Sequence, residues 1–146
     1  MATRQQLLLL KQESYFEGPL ISASERGFRM EYMGRVEIPD HDNAVYHIQL
    51  KEADGSAIMD VYLDAYSFLE VRRETRPNAE ATPLVTRFSD FRDTEGFSIP
   101  YRIENFYNGT PVSTTRIKDV AIDVGILGYF FELPPGREAV AADELR

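Results

Sequence analysis

A mainly β fold with minor α, organised as an antiparallel sheet, is what the sequence predicts, and three observations predict it. Apolar and polar residues alternate with a period of two through most of the stretch from Phe28 to Tyr107, the pattern of strands buried on one side. The dipeptides Asp54-Gly55 and Asn108-Gly109 separate such runs and suit two-residue type I′ turns, in which both central residues take positive φ. Helical signals are short and lie outside the alternating stretch, toward the two ends of the chain. With 146 residues, 43% of them hydrophobic, the chain fits a single domain; one of this size buries roughly two-thirds of its unfolded surface.

The elements follow in order. Thr3 and Gln6 have the spacing of a capping box, so a helix is expected from Arg4 to about Phe16, within a helical segment 1–17, with Leu7 and Leu10 on one side. Gly18-Pro19 ends it, and a loop or short helical turn is expected over Ser22–Gly27. Phe28, Met30 and Tyr32 then alternate with Arg29 and Glu31 as a strand until Gly34 breaks the period. After a polar loop at Pro39 to Asn43, "VYHIQLKE" sets Tyr46, Ile48 and Leu50 against His47, Gln49 and Lys51. Its partner "AIMDVYLD" sets Met59, Val61 and Leu63 against Ile58, Asp60, Tyr62 and Asp64. "FLEVRRE" continues as a strand, and "RPNAEATP", residues 76–83, is a loop because two prolines and small polar residues cannot extend a central strand. "LVTRFSDFR" and "YRIENFY" are strands joined by a wide connection at "DTEGFSIP", and "TPVSTTRIKDVAIDV" returns after Asn108-Gly109. The sheet is thus expected within 28–134, with a frayed or short-helical tail over 135–146.

Composition and motifs exclude several functions. A net charge of -8, with basic residues clustered only in "VRRETR", disfavours nucleic acid. Absence of cysteine removes disulfides, Cys-based zinc sites and a thiol nucleophile. "LLLL" at Leu7 to Leu10 is far shorter than the ~20 residues needed to span a bilayer, so stable membrane insertion is not expected. It is also a poor signal peptide, which leaves a cytosolic protein or a trimmed amino terminus as the expectations. His41 and His47, the two histidines, are read as solvated, one in a loop and one on the polar face of its strand. "PDHD" at Pro39 to Asp42 lacks the alternating oxygen ligands and distal glutamate of a calcium loop, so no metal is assigned. Asp60 and Asp64 are read as charges on the outer face of their strand. No Gly-rich phosphate loop occurs, no cofactor is implied, and no pair of groups is named as catalytic.

The aromatics remain: eight tyrosines and nine phenylalanines, no tryptophan, concentrated in the strands from Tyr46 to Tyr107. Strands favour aromatic residues in any core. A sheet this rich in large apolar side chains, backed by one short helix, nevertheless has more apolar face than the chain easily covers, which points to a pocket or a partner.

Four segments together carry a resemblance to a known family. Tyr62-Leu63-Asp64-Ala65 at the end of a strand, Phe88-Ser89-Asp90-Phe91, Gly96 with Ile99-Pro100, and Phe131-Glu132-Leu133-Pro134 resemble, in that order, the carboxy-terminal part of the LolA-like superfamily of outer-membrane lipoprotein-sorting proteins. "FEGPLISASERGFRMEYMG" is similar to the linker and strand before that part, so the resemblance covers most of the chain. Phe91 stands in place of the family's usual Tyr, and Asp123 near where it has Asn. The resemblance implies an incomplete β-barrel, a curved antiparallel sheet with an apolar concave side and a short helical lid. It implies non-catalytic carriage of a lipid, lipoprotein acyl chain or other amphiphile in the periplasm. On that reading Tyr46, Ile48, Leu50, Met59, Val61, Leu63, Tyr101 and Ile103 line the ligand site and Leu7 and Leu10 belong to the lid. Pro100 fixes the start of a strand, Gly96 permits a turn and Asp90 caps turn amides. The alternative expectation is a β-rich interaction module. Because the family's first strands have no counterpart here, an exposed sheet edge would pair with a second copy or a protein partner.

Overall fold

The computed structural model describes residues 18–122. They form seven strands: β1 (Arg29–Val36), β2 (Val45–Lys51), β3 (Ala57–Asp64), β4 (Glu70–Thr75), β5 (Leu84–Thr94), β6 (Phe97–Tyr107) and β7 (Thr110–Arg116). All belong to one sheet in the order of the sequence, each antiparallel to the next. The sheet is open, since β1 pairs only with β2 and β7 only with β6. The described residues show the antiparallel sheet; they show neither barrel curvature nor a helix. The expected helix over 1–17 and tail over 135–146 lie outside them. The sheet begins at Arg29 and its last described strand ends at Arg116, short of the expected 134; residues 117–122 form no strand.

Turn chemistry sets the meander. Asn108 (φ 49) and Gly109 (φ 75) form the two-residue turn expected of them, with Tyr107 opposite Thr110. Glu95 (φ 53) and Gly96 (φ 87) form another, with Thr94 opposite Phe97, where a wide connection was expected. Asp54-Gly55 departs from expectation. Only Gly55 has positive φ, and the loop is longer, closed by Gly55 N to Glu52 O at 2.9 Å and Glu52 N to Ser56 O at 2.9 Å. The Asp54 carboxylate accepts the Ser56 amide instead, an Asx turn that holds Asp54 out of the left-handed region. A bulge between Leu50 and Lys51 absorbs the difference.

Register divides the sheet into two faces. Tyr32, Ile48, Val61, Arg73, Thr86 and Asn105 succeed one another across β1 to β6 on one face, flanked by the rows through Leu50 and Met59 and through Tyr46 and Leu63. The opposite face carries Gln49 and Asp60, His47 and Tyr62, Arg72 and Arg87. The core lies on the first face: Leu50, Met59 and Val61 are buried together with Ala23, and Leu20, Phe28 and Leu63 pack around them. Ile58, expected on the other side, joins the same cluster because the bulge at Lys51 leaves it without a partner on β2 and out of the alternation. Ala23 reaches the sheet because the expected turn forms, with Arg26 N bonding Ser22 O at 3.0 Å and Phe28 N bonding Ala23 O at 2.8 Å. Burial of each large apolar side chain there stabilises the fold by roughly 1.5–3 kcal/mol.

Candidate functional site

Six of the residues expected to line a ligand site, Tyr46, Ile48, Leu50, Met59, Val61 and Leu63, share the apolar face through direct cross-strand pairing of β2 with β3. Ile103 joins that face through Phe88, its partner on β5, and Tyr101 follows it by alternation. Their burial separates them. Leu50, Met59 and Val61 are closed over by the 18–27 segment and act as core, and Tyr101 is buried as well. Tyr46, Ile48, Leu63 and Ile103 stay partly exposed. Around them the face is extended by Tyr32, edge-on to Tyr46 at 6.2 Å, and by Phe68, stacked on Tyr46 at 6.0 Å. Tyr32 and Phe68 are 62% and 65% exposed, large apolar groups that a single sheet layer leaves without a second layer among the described residues. Leu7 and Leu10, expected as a lid, lie outside the described residues.

The other face is a polar network, and here three sequence expectations are corrected. His47 is not a free solvated side chain: its Nε2 lies 2.7 Å from Asp60 Oδ1, and its ring stacks on Tyr62 at 4.6 Å. His41 Nε2 lies 2.8 Å from Asp64 Oδ2. Asp60 and Asp64, expected as outward charges, are buried. Asp60 keeps its charge satisfied by Gln49 Nε2 at 3.0 Å and the Arg76 guanidinium at 2.9 Å as well as His47. Asp64 accepts the Ser67 amide at 2.7 Å, the Tyr66 amide at 3.0 Å and Asn43 Nδ2 at 2.9 Å. These bonds, led by the Ser67 amide, outweigh burial and hold the Asp64 carboxyl well below the usual carboxylate range. Tyr62 moves the other way: burial first, then the neighbouring Glu74 and Asp60 charges, push its phenol up to about 12. The His47–Asp60 contact and the His47–Tyr62 stack tie β2 to β3, and the Arg76–Asp60 pair adds the segment that follows β4. Asp90 is corrected too, since its carboxylate takes the Arg92 guanidinium at 2.6 Å, while Asp93 accepts the Gly96 turn amide at 3.3 Å. Pro100 stands within β6, opposite Phe91, and not at the start of that strand.

Among the described residues two cavities stand out, and Tyr101 is the one expected lining residue that borders either of them. One, of about 230 Å³, lies under the β1–β2 loop between Ile38, His41, Arg72, Arg87 and Glu104. The other, of about 520 Å³, is bounded by Ser89, Asp90, Arg92, Tyr101, Arg102, Arg116 and Ile117. Among the described residues no group of three or more His, Asp or Glu side chains is arranged to hold a metal ion, and no helix is long and apolar enough to cross a membrane. Asp40, of the "PDHD" stretch, instead pairs with Arg87 at 2.7 Å. Sequence reasoning missed the buried carboxylates although the signal was present: a two-residue turn at Asp54-Gly55 sets Gln49 opposite Asp60 and His47 opposite Tyr62, the pairing observed. Comparison with family models, with characterised proteins and with solved structures finds no match to this chain.

Proposed function

We propose that the protein binds a lipid, a lipoprotein acyl chain or another amphiphile on the apolar face of its sheet and carries it without covalent chemistry, as a LolA-like sorting protein of the periplasm would. The observation that supports this reading is the apolar face itself. Tyr46, Ile48, Leu63 and Ile103 remain partly exposed, and Tyr32 and Phe68 largely so, beside a core that has already taken up Leu50, Met59 and Val61. An acyl chain is the economical cover for such a surface. Each buried methylene contributes about 0.8 kcal/mol, so a dozen contribute about 10 kcal/mol to set against the cost of association. The barrel-like curvature and the lid formed by Leu7 and Leu10 belong to the same proposal.

Titration of an environment-sensitive fatty-acid probe tests it. Saturable binding is expected, with loss in Leu63→Asp, whose charge would enter the face beside Tyr46, and no binding at any concentration refutes the reading. A second reading, self-association or capture of a protein through a sheet edge, is favoured by β7, in which every residue is exposed. Pro111 and the register shift between its partners Asn105 and Phe106 interrupt that edge, as protected edges do, which ranks this reading second. Light scattering over a range of concentrations separates the two, because a monomeric carrier keeps a constant mass.

A further inference from the structure

On the polar face, arginines meet arginines. Arg72 is directly opposite Arg87, and Arg102 is directly opposite Arg116. The two pairs are joined through β5 and β6, where Arg87 faces Glu104 and Ser89 faces Arg102. Like charges in register across antiparallel strands repel, so such an arrangement needs counter-charge. The chain supplies part of it: Glu74 to Arg72 at 2.8 Å, Asp40 to Arg87 at 2.7 Å and Glu104 to Arg102 at 2.7 Å. Two donors are left over. Arg116 has no ion-pair partner among the described residues, and Arg87 Nε is buried with no hydrogen-bond acceptor.

We propose that this arginine ladder is a binding site for a phosphate-class oxyanion. The larger cavity is bordered by Arg102 and Arg116, with Arg92 stacked on Tyr101 at its rim. Asp90 pairs with Arg92 and Glu104 with Arg102, which leaves Arg116 as the uncompensated cation there, in a chain whose net charge is -8. Ser89 borders both cavities and adds a hydroxyl donor between the Arg72–Arg87 and Arg102–Arg116 pairs. Guanidinium forks match phosphate oxygens two at a time, and an oxyanion between facing arginines turns their repulsion into attraction. Access is open, because the β5–β6 hairpin runs past its partners: β4 pairs no further than Arg87 and β7 no further than Arg102. The phosphate is either free or the headgroup of an amphiphile. The headgroup source rests on the carrier reading above; the free source does not.

The test uses the full chain, the double variant Arg102→Gln/Arg116→Gln, and a control, Arg29→Gln/Arg35→Gln, that removes the same charge from exposed positions on β1. Thermal melts by circular dichroism establish that each is folded. Inorganic phosphate is titrated by phosphorus NMR, and vesicles of phosphatidylcholine, with and without phosphatidylglycerol, are tested by co-sedimentation. The expected result is binding weakened roughly tenfold or more in the ladder variant and little in the control, as loss of charge-assisted bonds requires. Binding of inorganic phosphate identifies the free source. Binding of phosphatidylglycerol vesicles alone, lost in the ladder variant, identifies the headgroup. No binding of either, or equal loss in ladder and control variants, overturns the site. Fatty-acid probe binding is followed in the same variants: its retention by the ladder variant and loss in Leu63→Asp keep failure of this site distinct from failure of the carrier reading.

Discussion

Replacing Asp64 with Ala tests whether a buried carboxylate, and not only apolar packing, holds one end of the sheet. Asp64 is 4% exposed and closes three segments at once. One oxygen takes the Tyr66 and Ser67 amides and the Ser67 hydroxyl at 3.0, 2.7 and 2.9 Å, which shapes the corner between β3 and β4. The other takes Asn43 at 2.9 Å and lies 2.8 Å from His41, which fastens the β1–β2 loop. Hydrogen bonds to a charged acceptor contribute about 1.5–3 kcal/mol each when fully buried, but Tyr66 and Ser67 are exposed and water can replace part of the set. A loss of about 3 kcal/mol is expected, equivalent to a fall of ~10 °C in Tm for a domain of this size. Urea unfolding followed by circular dichroism measures it. A loss below about 1 kcal/mol, smaller than one such bond, would refute the reasoning. The pH dependence has a definite sign. The folded carboxyl titrates below its unfolded value of about 3.9, so its stabilisation is present above that value and is lost as pH falls through the folded pKa. The gap between wild type and variant therefore stays constant near neutrality and narrows only below about pH 4.

Three further outcomes are expected. Leu50→Ala, at a fully buried position among Ala23, Met59 and Val61, costs about 2–5 kcal/mol in denaturant unfolding through the cavity it leaves. Near-ultraviolet titration resolves one tyrosine ionising at about 12, absent in Tyr62→Phe; because the folded pKa is the higher one, its stabilisation is complete below about pH 10 and disappears as pH rises through the folded value. Gly96→Ala, at φ +87 with open space around the added carbon, costs about 1 kcal/mol by backbone conformation alone, read as a lower urea midpoint with unchanged slope.

Much of the sheet was legible because its signals are local. Alternation in "VYHIQLKE" and "AIMDVYLD" placed β2 and β3, and the prolines and small residues of 76–83 placed the loop before β5. Asn108-Gly109 announced its hairpin because Asn tolerates positive φ, whereas Glu95-Gly96 did not, since Glu rarely adopts the φ of 53 it has here. The apolar set on β2 and β3 was legible as one face, but which of its members are core was not. Leu50 and Ile48 read alike in the strand, and the turn that carries Ala23 covers only the first.

The sequence by itself determined most of the strands and which side of β2 and β3 is apolar, because period is a property of neighbouring residues, whereas the Glu95-Gly96 hairpin and the longer loop at Asp54-Gly55 were decided by the structure. Only the tertiary structure decided the fate of the charges. Asp60 and Asp64 are buried because a loop, a corner and Arg76 from the end of β4 close over them, and the Arg72–Arg87 and Arg102–Arg116 pairs meet only when four strands align. Coulomb and desolvation energies depend on distances through space, which no local pattern along the chain specifies.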